Sequence, residues 1–300
     1  MTVQLHISGQ GATAMRIEME RASQRLIIAF VLSGLFFMLL PGTFLGVWNL
    51  IDISEQHTIS AMSPAWLQAH GQAQIFGWIG SFILGIGFYS LTKMQTALSF
   101  PERAGWITWL LWTFAVTLRW IIGVSAWHWR MLLPFSAALQ LIAFSVFYRS
   151  LRRHRPVDSS HRAETWMQIV SGGTWAFLVA MVVNLAAFIH LALYGNSPAL
   201  PHVLDQQLVV LAVWGVLVPT IWGFNARWLP IFAGFRKPDR LRLLLAYGLS
   251  VAAGLAFCLE WWAVSAVILV GAGSQAVEVL HVWQPAVQPA KLLHFHRSFP

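Results

Sequence analysis

Of the 300 residues, 57% are hydrophobic and only 10% are charged. A soluble domain carries about a quarter of its residues as charged side chains, so this composition excludes a water-exposed globular protein and predicts an integral membrane protein. The net charge of +8 does not indicate nucleic-acid binding, because the basic residues recur between apolar segments and form no single patch. The one cysteine, Cys258, excludes intrachain disulfides, cysteine-rich zinc sites, iron–sulfur clusters and covalent haem attachment.

Eight apolar segments, each near the length that a membrane-spanning helix needs, follow one another along the chain. They predict an all-α, polytopic transmembrane helix bundle at 26–280, between a cytoplasmic segment 1–25 and a cytoplasmic tail 281–300. Because the tail stops at Pro300 without a terminal element, we expect the chain to be a fragment or a shortened form of a longer protein. The predicted spans are 26–48, 72–91, 105–124, 132–148, 168–193, 208–231, 241–256 and 262–280, with only Glu260 separating the last two.

The lysines and arginines alternate in step with these spans. All of the 19 except Arg119, Arg130 and Arg227 lie before span 1, after span 8, or between spans 2 and 3, 4 and 5, and 6 and 7, counting Arg242 at the inner end of span 7. Because cytoplasmic loops carry an excess of Lys and Arg, both termini are predicted to be cytoplasmic. Arg227, near the inner end of span 6, is interpreted as a phosphate anchor or a helix-end cap.

Histidines at the predicted outer ends of the spans are the candidates for metal chemistry, since imidazole is the commonest protein ligand of metals. The inner histidines lie among arginines and are interpreted as solvated loop residues. From the outer group we take four side chains as candidate metal ligands: His70, His128, His190 and His202.

The strongest candidate is His70. Small residues four apart let membrane helices approach closely, so the stripe that carries His70 should face protein. Gly71 leaves room beside the imidazole for a flat macrocycle or another backbone. The alternative is that His70 only bonds a neighbouring carbonyl at the interface. The stripe consists of His70, Gln74, Gly77, Ser81 and Gly85.

Two further spans carry polar residues near the same end. Asn184 and His190 of span 5 are candidates for a bundle-interior site, because polar residues in membrane helices usually point inward; Tyr194 lies one turn beyond. Their six-residue separation does not place Asn184 and His190 on one helix face, and His190 could equally be a satisfied interfacial histidine. Arg119 in span 3 requires a carboxylate or an anionic cofactor group such as a haem propionate, unless it snorkels to lipid phosphates.

The chain resembles the NnrS family of bacterial membrane proteins over most of its length. Trp66 together with residues 70–77, HGQAQIFG, is similar to that family's WHAHEMLFG segment, and residues 225–232, NARWLPIF, are similar to its GRVIPFFT segment. Further similar segments are RAGW at 103–106 and NLAAFIH at 184–190. The chain departs from the family in its shorter length and in carrying Gln68 for the earlier histidine and Gln72 for the glutamate.

The resemblance implies a haem- and copper-containing protein of the bacterial inner membrane, linked to nitric oxide, denitrification and protection from nitrosative stress. His70 also resembles the helix-two haem histidine of haem–copper oxidase catalytic subunits. The chain has no His-x-x-x-Tyr plus His-His set for an oxidase copper centre, so oxygen reduction is not expected.

We therefore predict a non-covalent haem b, with copper as a second metal, between His70 and His190 near the periplasmic face. Arg119 would lie near the propionates, and the other cofactor-binding candidates are Gly71, Gln74, Asn184 and Tyr194. The predicted role is the binding, sensing or handling of nitric oxide or another diatomic gas, without turnover of an organic substrate. Two alternatives remain: a cofactor-free transporter, with span 5 and a span 6 kinked at Pro219 lining its pathway, and an assembly or scaffold subunit.

Overall fold

The computed structural model describes residues 9–58, 62–94, 100–153 and 164–283, and their regular structure is entirely helical. Within these residues, eight helices are long and apolar enough to cross a membrane, which confirms the predicted all-α transmembrane bundle. They are span 1 (Ile17–Gln56), span 2 (Pro64–Ser90), span 3 (Glu102–Ser125), span 4 (Trp129–Arg153), span 5 (Thr165–Tyr194), span 6 (His202–Phe232), span 7 (Arg240–Cys258) and span 8 (Trp262–Val279). The helix of span 1 begins at Gly9, and that of span 2 continues to Met94.

The outer surfaces of these helices are apolar. Large aliphatic side chains are exposed along the spans, as at Leu32, Leu110, Val182 and Leu255. In water such a surface would be costly, whereas lipid tails solvate it, and the backbone polar groups pair within each helix as hydrocarbon requires. The protein is therefore a multi-pass helical membrane protein.

Among the described residues, three spans contain π-helical segments, at Met38–Thr43 in span 1, Ala73–Gly80 in span 2 and Val213–Leu217 in span 6. Pro41 lies inside the first of them and Pro219 follows the third. Proline has no N–H to donate, so the regular bonding pattern of the helix is disturbed beside it. A π-helical segment thus ends just before Pro219, where the sequence predicted a kink of span 6.

The apolar pattern of the sequence predicts one span boundary correctly and another incorrectly. The turn between spans 7 and 8 is at Glu260, which has a left-handed φ of 63°, as predicted. Span 2, however, begins at Pro64 and not at residue 72, so His70 lies inside the helix rather than at its start. The first turns of this helix, from Pro64, were not predicted because Gln68 makes their sequence less apolar. The Gln68 side chain is nevertheless buried and hydrogen-bonded.

Contacts divide the chain into two compact units. The first contains spans 1 to 4 together with residues 184–200, and the second contains residues 164–183 and spans 6 to 8. The apolar core of the second unit joins Ile169, Leu243 and Val279 from three different spans.

In the first unit, spans 1 and 2 pack along the stripe predicted for span 2. A Cβ atom added at Gly77 would lie 2.7 Å from Cβ of Phe37, and one added at Gly85 would lie 2.7 Å from Cβ of Phe30. Both glycines are buried. The prediction that this stripe faces protein is therefore confirmed, and the close approach brings His70 against span 1.

Candidate functional site

His70 is held against the backbone of span 1. Its Nδ1 lies 2.7 Å from the carbonyl oxygen of Gly42, and a carbonyl oxygen can only accept, so Nδ1 donates the proton. In the neutral imidazole this leaves a lone pair on Nε2, the state in which histidine binds a metal. The ring also packs on Gly46, where an added Cβ would lie 2.9 Å from Cε1 of the imidazole. The predicted carbonyl bond and a ligand role are therefore compatible, because they use different ring nitrogens.

Gln74 packs on span 1 one turn further along span 2. Its Nε2 would lie 2.5 Å from a Cβ atom added at Gly42. The π-helical segments Met38–Thr43 and Ala73–Gly80 contact each other here. Such segments occur frequently at functional sites, and they hold Gln74 and Gly42, one turn away from the contact of His70 with Gly46.

Gly71, the residue after His70, has open space where its side chain would be. A Cβ atom added there would meet no heavy atom of the structure within 4 Å. The room predicted from the missing side chain is thus present, and no backbone from the described residues fills it.

Asn49 is a site residue that the sequence analysis missed. It lies on span 1 three residues after Gly46, is only 6% exposed, and its Nδ2 has no hydrogen-bond partner among the described residues. Leaving a buried amide unpaired costs about 1–3 kcal/mol, a cost that a bound polar ligand would remove. Asn49 was missed because span 1 was predicted to end at residue 48; the helical spacing of Gly42, Gly46 and Asn49 was the available signal.

Arg119 lies inside the first unit, 2% exposed, with its guanidinium carbon 4.4 Å from the centre of the Phe188 ring. An arginine that snorkels to lipid phosphates keeps its charged end at the surface. The burial therefore argues against the snorkelling alternative, and the cation–π contact joins span 3 to the end of span 5 within this unit.

Span 5 separates the candidates that it carries. Asn184 is 3% exposed on the buried face that also holds Phe188, and its Nδ2 lacks a hydrogen-bond partner within the described residues. His190 and Tyr194 are exposed and lie together on another face, with ring centroids 5.0 Å apart. His190 is therefore not in the bundle interior, where it was expected. A position near the helix end allows its polar ring to be solvated at the surface.

The remaining two histidines lie outside this arrangement. His128 is exposed in the loop between spans 3 and 4, beside Trp127, with a left-handed φ of 41°. His202 is exposed at the start of span 6 in the other unit, and its Nε2 lies 3.3 Å from Nε2 of Gln206. Within the described ranges no three His, Cys, Asp or Glu side chains are grouped so that they could hold a metal ion. A copper site built from three such side chains is therefore not formed in this part of the chain.

Gln68 has a structural role at the position where the NnrS segment has histidine. Its Nε2 donates to the carbonyl oxygen of Leu200 and its Oε1 accepts from the backbone N–H of Leu200, both at 2.8 Å. A carboxamide presents its donor and its acceptor on one side, so it can pair both groups of one residue. The two nitrogens of an imidazole diverge and cannot do so.

Replacing Gln68 with leucine is expected to lower the stability of the protein by about 2 kcal/mol or more, because two buried backbone groups lose their partners. The measurement is the thermal unfolding midpoint of the purified protein in mild detergent. Gln206→Leu is the matched control, since the Gln206 side chain is exposed. Equal midpoints for the two variants would contradict this role of Gln68.

The fold and the site define a polytopic helical membrane protein with one histidine fixed by a backbone carbonyl beside an open space. No family model, no curated protein and no solved structure matches the chain. The resemblance to the NnrS family therefore depends on its short motifs alone.

Proposed function

We propose that this protein binds a non-covalent haem b through Nε2 of His70 and uses it to bind nitric oxide or another diatomic gas, as the NnrS resemblance implies. The observation that carries the proposal is the bond from Nδ1 of His70 to the carbonyl oxygen of Gly42. Metal-ligating histidines almost always donate their other N–H to a carbonyl, a carboxylate or water, which fixes the tautomer and the ring orientation.

Three other features of the first unit fit a haem. Gly71 leaves open space beside the imidazole, Asn49 offers a buried N–H₂ group that has no partner among the described residues, and Arg119 provides a buried positive charge for the propionates. When bound, haem supplies an iron whose ligation and surrounding polarity determine which gas it takes. The protein's part is to hold the imidazole, to offer the amide and to exclude water.

The second axial ligand is open to a direct test. His190 is the ligand predicted from the sequence, and it belongs to the same unit as His70. Because His190 lies on an exposed face, we expect its replacement by alanine to leave haem bound and at most to change the absorption spectrum. Copper stays a prediction from the resemblance.

The location is also a proposal. We propose that the protein lies in a bacterial inner membrane with both termini in the cytoplasm. The distribution of Lys and Arg supports this orientation. In this orientation the start of span 2, which carries His70, and the end of span 1, against which His70 packs, lie near the periplasmic face.

The test is an optical spectrum of the full-length protein, expressed with ample haem precursor and purified in mild detergent. A Soret band in the oxidised and reduced states, a b-type pyridine haemochromogen and a spectral change on addition of nitric oxide are expected. Protein that is folded by size-exclusion chromatography yet shows no Soret band, before or after incubation with haemin, would refute the proposal.

A further inference from the structure

A cavity of about 260 Å³ lies in the second unit, where the start of span 5, the end of span 6 and the start of span 7 meet. This volume corresponds to several water molecules. The lining contains both polar and apolar side chains, and the residues that matter are Glu164, Trp166, Arg227, Ile231, Lys237 and Leu243.

Arg227 is held in place on one side of the cavity. Its Nη1 donates to both carboxylate oxygens of Glu164, at 3.1 and 2.9 Å, and Nε1 of Trp166 donates to the same carboxylate. The guanidinium carbon also lies 5.8 Å from the centre of the Trp166 ring. These contacts use only Nη1, so the Nε and Nη2 donors have no hydrogen-bond partner in the described part of the chain. That pair of donors forms the parallel fork that binds two oxygens of one phosphate.

Lys237 adds a second positive charge to the lining. It is exposed, and none of the ion pairs between described residues includes it. The acids on neighbouring segments have other partners: Asp239 accepts from the backbone N–H of Arg242, and Glu278 pairs with the side chain of Arg242 at 3.0 Å. The negative charge of Glu164 neutralises the positive charge of Arg227 but not that of Lys237, so the cavity lining keeps an excess positive charge.

The apolar lining and the neighbouring aromatic residues indicate the depth of the cavity. Ile231 and Leu243 line it on the side of the spans. Trp166 begins span 5 and Trp228 stacks on Phe232 at the end of span 6, and tryptophans concentrate at the level of lipid headgroups. The aromatic residues at these helix ends therefore favour a cavity near the level of the lipid headgroups, with Ile231 and Leu243 as its apolar lining.

We propose that this cavity binds the phosphodiester of an anionic membrane phospholipid. Arg227 provides the bidentate donor pair, Lys237 provides a point charge, and Ile231 and Leu243 contact the glycerol and the first carbons of the acyl chains. Basic pockets between membrane helices on the cytoplasmic side bind anionic headgroups in this way. The site is independent of His70, because all of its residues lie in the second unit.

The test uses the full-length protein, depleted of lipid in mild detergent and titrated with phosphatidylglycerol during native mass spectrometry. Lys237→Gln and Arg227→Gln are each expected to weaken phosphatidylglycerol binding about fivefold. Arg242→Gln is the matched control, because Arg242 also forms an exposed pair with a glutamate but does not line the cavity. This control should bind as the unchanged protein does.

Two further measurements distinguish an anionic phospholipid from other ligands. Phosphatidylcholine, which is zwitterionic, should bind at least several-fold more weakly than phosphatidylglycerol, and millimolar inorganic phosphate should not displace the lipid. Equal binding of the two lipids, or an equal loss in the Lys237 and Arg242 variants, would overturn the proposal. Displacement by phosphate would also overturn it, in favour of a site for free phosphate.

Discussion

Replacing His70 with alanine is expected to remove the Soret band and to lower bound haem at least about tenfold, since even the residues that orient a metal ligand contribute about 10- to 100-fold to affinity. The fold should persist, because among the described residues the imidazole makes one hydrogen bond, to Gly42, and otherwise packs on Gly46. The measurement is the haem-to-protein ratio of purified protein after incubation with haemin.

Three variants separate ligation from a structural effect. His70→Gly incubated with free imidazole should regain the band, because the small molecule can occupy the vacated position, whereas a purely structural defect would not be repaired. His57→Ala, which removes an exposed histidine beyond the end of span 1, should leave the haem content unchanged. His190→Ala shows whether span 5 supplies the second ligand.

The same His70 variants distinguish the alternatives. A haem-free protein whose His70→Ala variant loses solute flux in vesicles would support a transporter, and one in which the change affects neither spectrum nor flux would support a scaffold subunit. A haem-loaded His70→Ala protein with an unchanged spectrum would show that another residue is the ligand.

Replacing Gly77 with leucine is expected to lower the stability of the bundle by about 3 kcal/mol, near the upper end for overpacking. The first atoms that the new side chain meets are Cβ and Cγ of Phe37, at 2.7 and 2.8 Å from the added Cβ. These atoms lie close to the helix backbone and cannot rotate away, so spans 1 and 2 must separate. The measurement is the thermal midpoint in mild detergent, which we expect to fall by several degrees.

Gly71→Leu is the matched control in the same span. An added Cβ at Gly71 meets no atom within 4 Å. The free energy of unfolding should therefore change by less than about 1 kcal/mol, as for most surface changes, and the thermal midpoint should stay close to that of the original protein. Its haem content should nevertheless fall, because leucine would occupy the space beside the imidazole. Equal midpoints for the Gly71 and Gly77 variants would contradict the packing of spans 1 and 2 described above.

The apolar pattern predicts the spans well because lipid exposure needs long apolar segments, and the break at Glu260 needed only one charged residue. It fails where a polar residue is buried with a partner. Gln68 delayed the predicted start of span 2, although both of its amide atoms are hydrogen-bonded to Leu200. Only the three-dimensional structure shows that two hydrogen bonds offset the cost of removing this side chain from water.

The candidate site could be predicted in part from the sequence. The spacing of small residues correctly placed His70 against another helix, and the missing side chain at Gly71 correctly predicted open space. The face occupied by His190 could not be predicted, because a histidine near a helix end is tolerated both inside the bundle and at the surface. Asn49 was overlooked since the helix of span 1 continues to Gln56, through residues polar enough to resemble a loop.

The unusual length of span 1 has a consequence for how a ligand reaches His70. Its 40 residues extend over about 60 Å at 1.5 Å per residue, about twice the thickness of the hydrocarbon layer. Because the apolar part of this helix is predicted at 26–48, we expect the last turns, which carry Asp52 and Glu55 and end at Gln56, to project into water. In the proposed orientation Gly46 and Asn49 would lie where lipid tails give way to headgroups, and the proposed gas ligand could reach His70 from the aqueous phase or by lateral diffusion through the lipid.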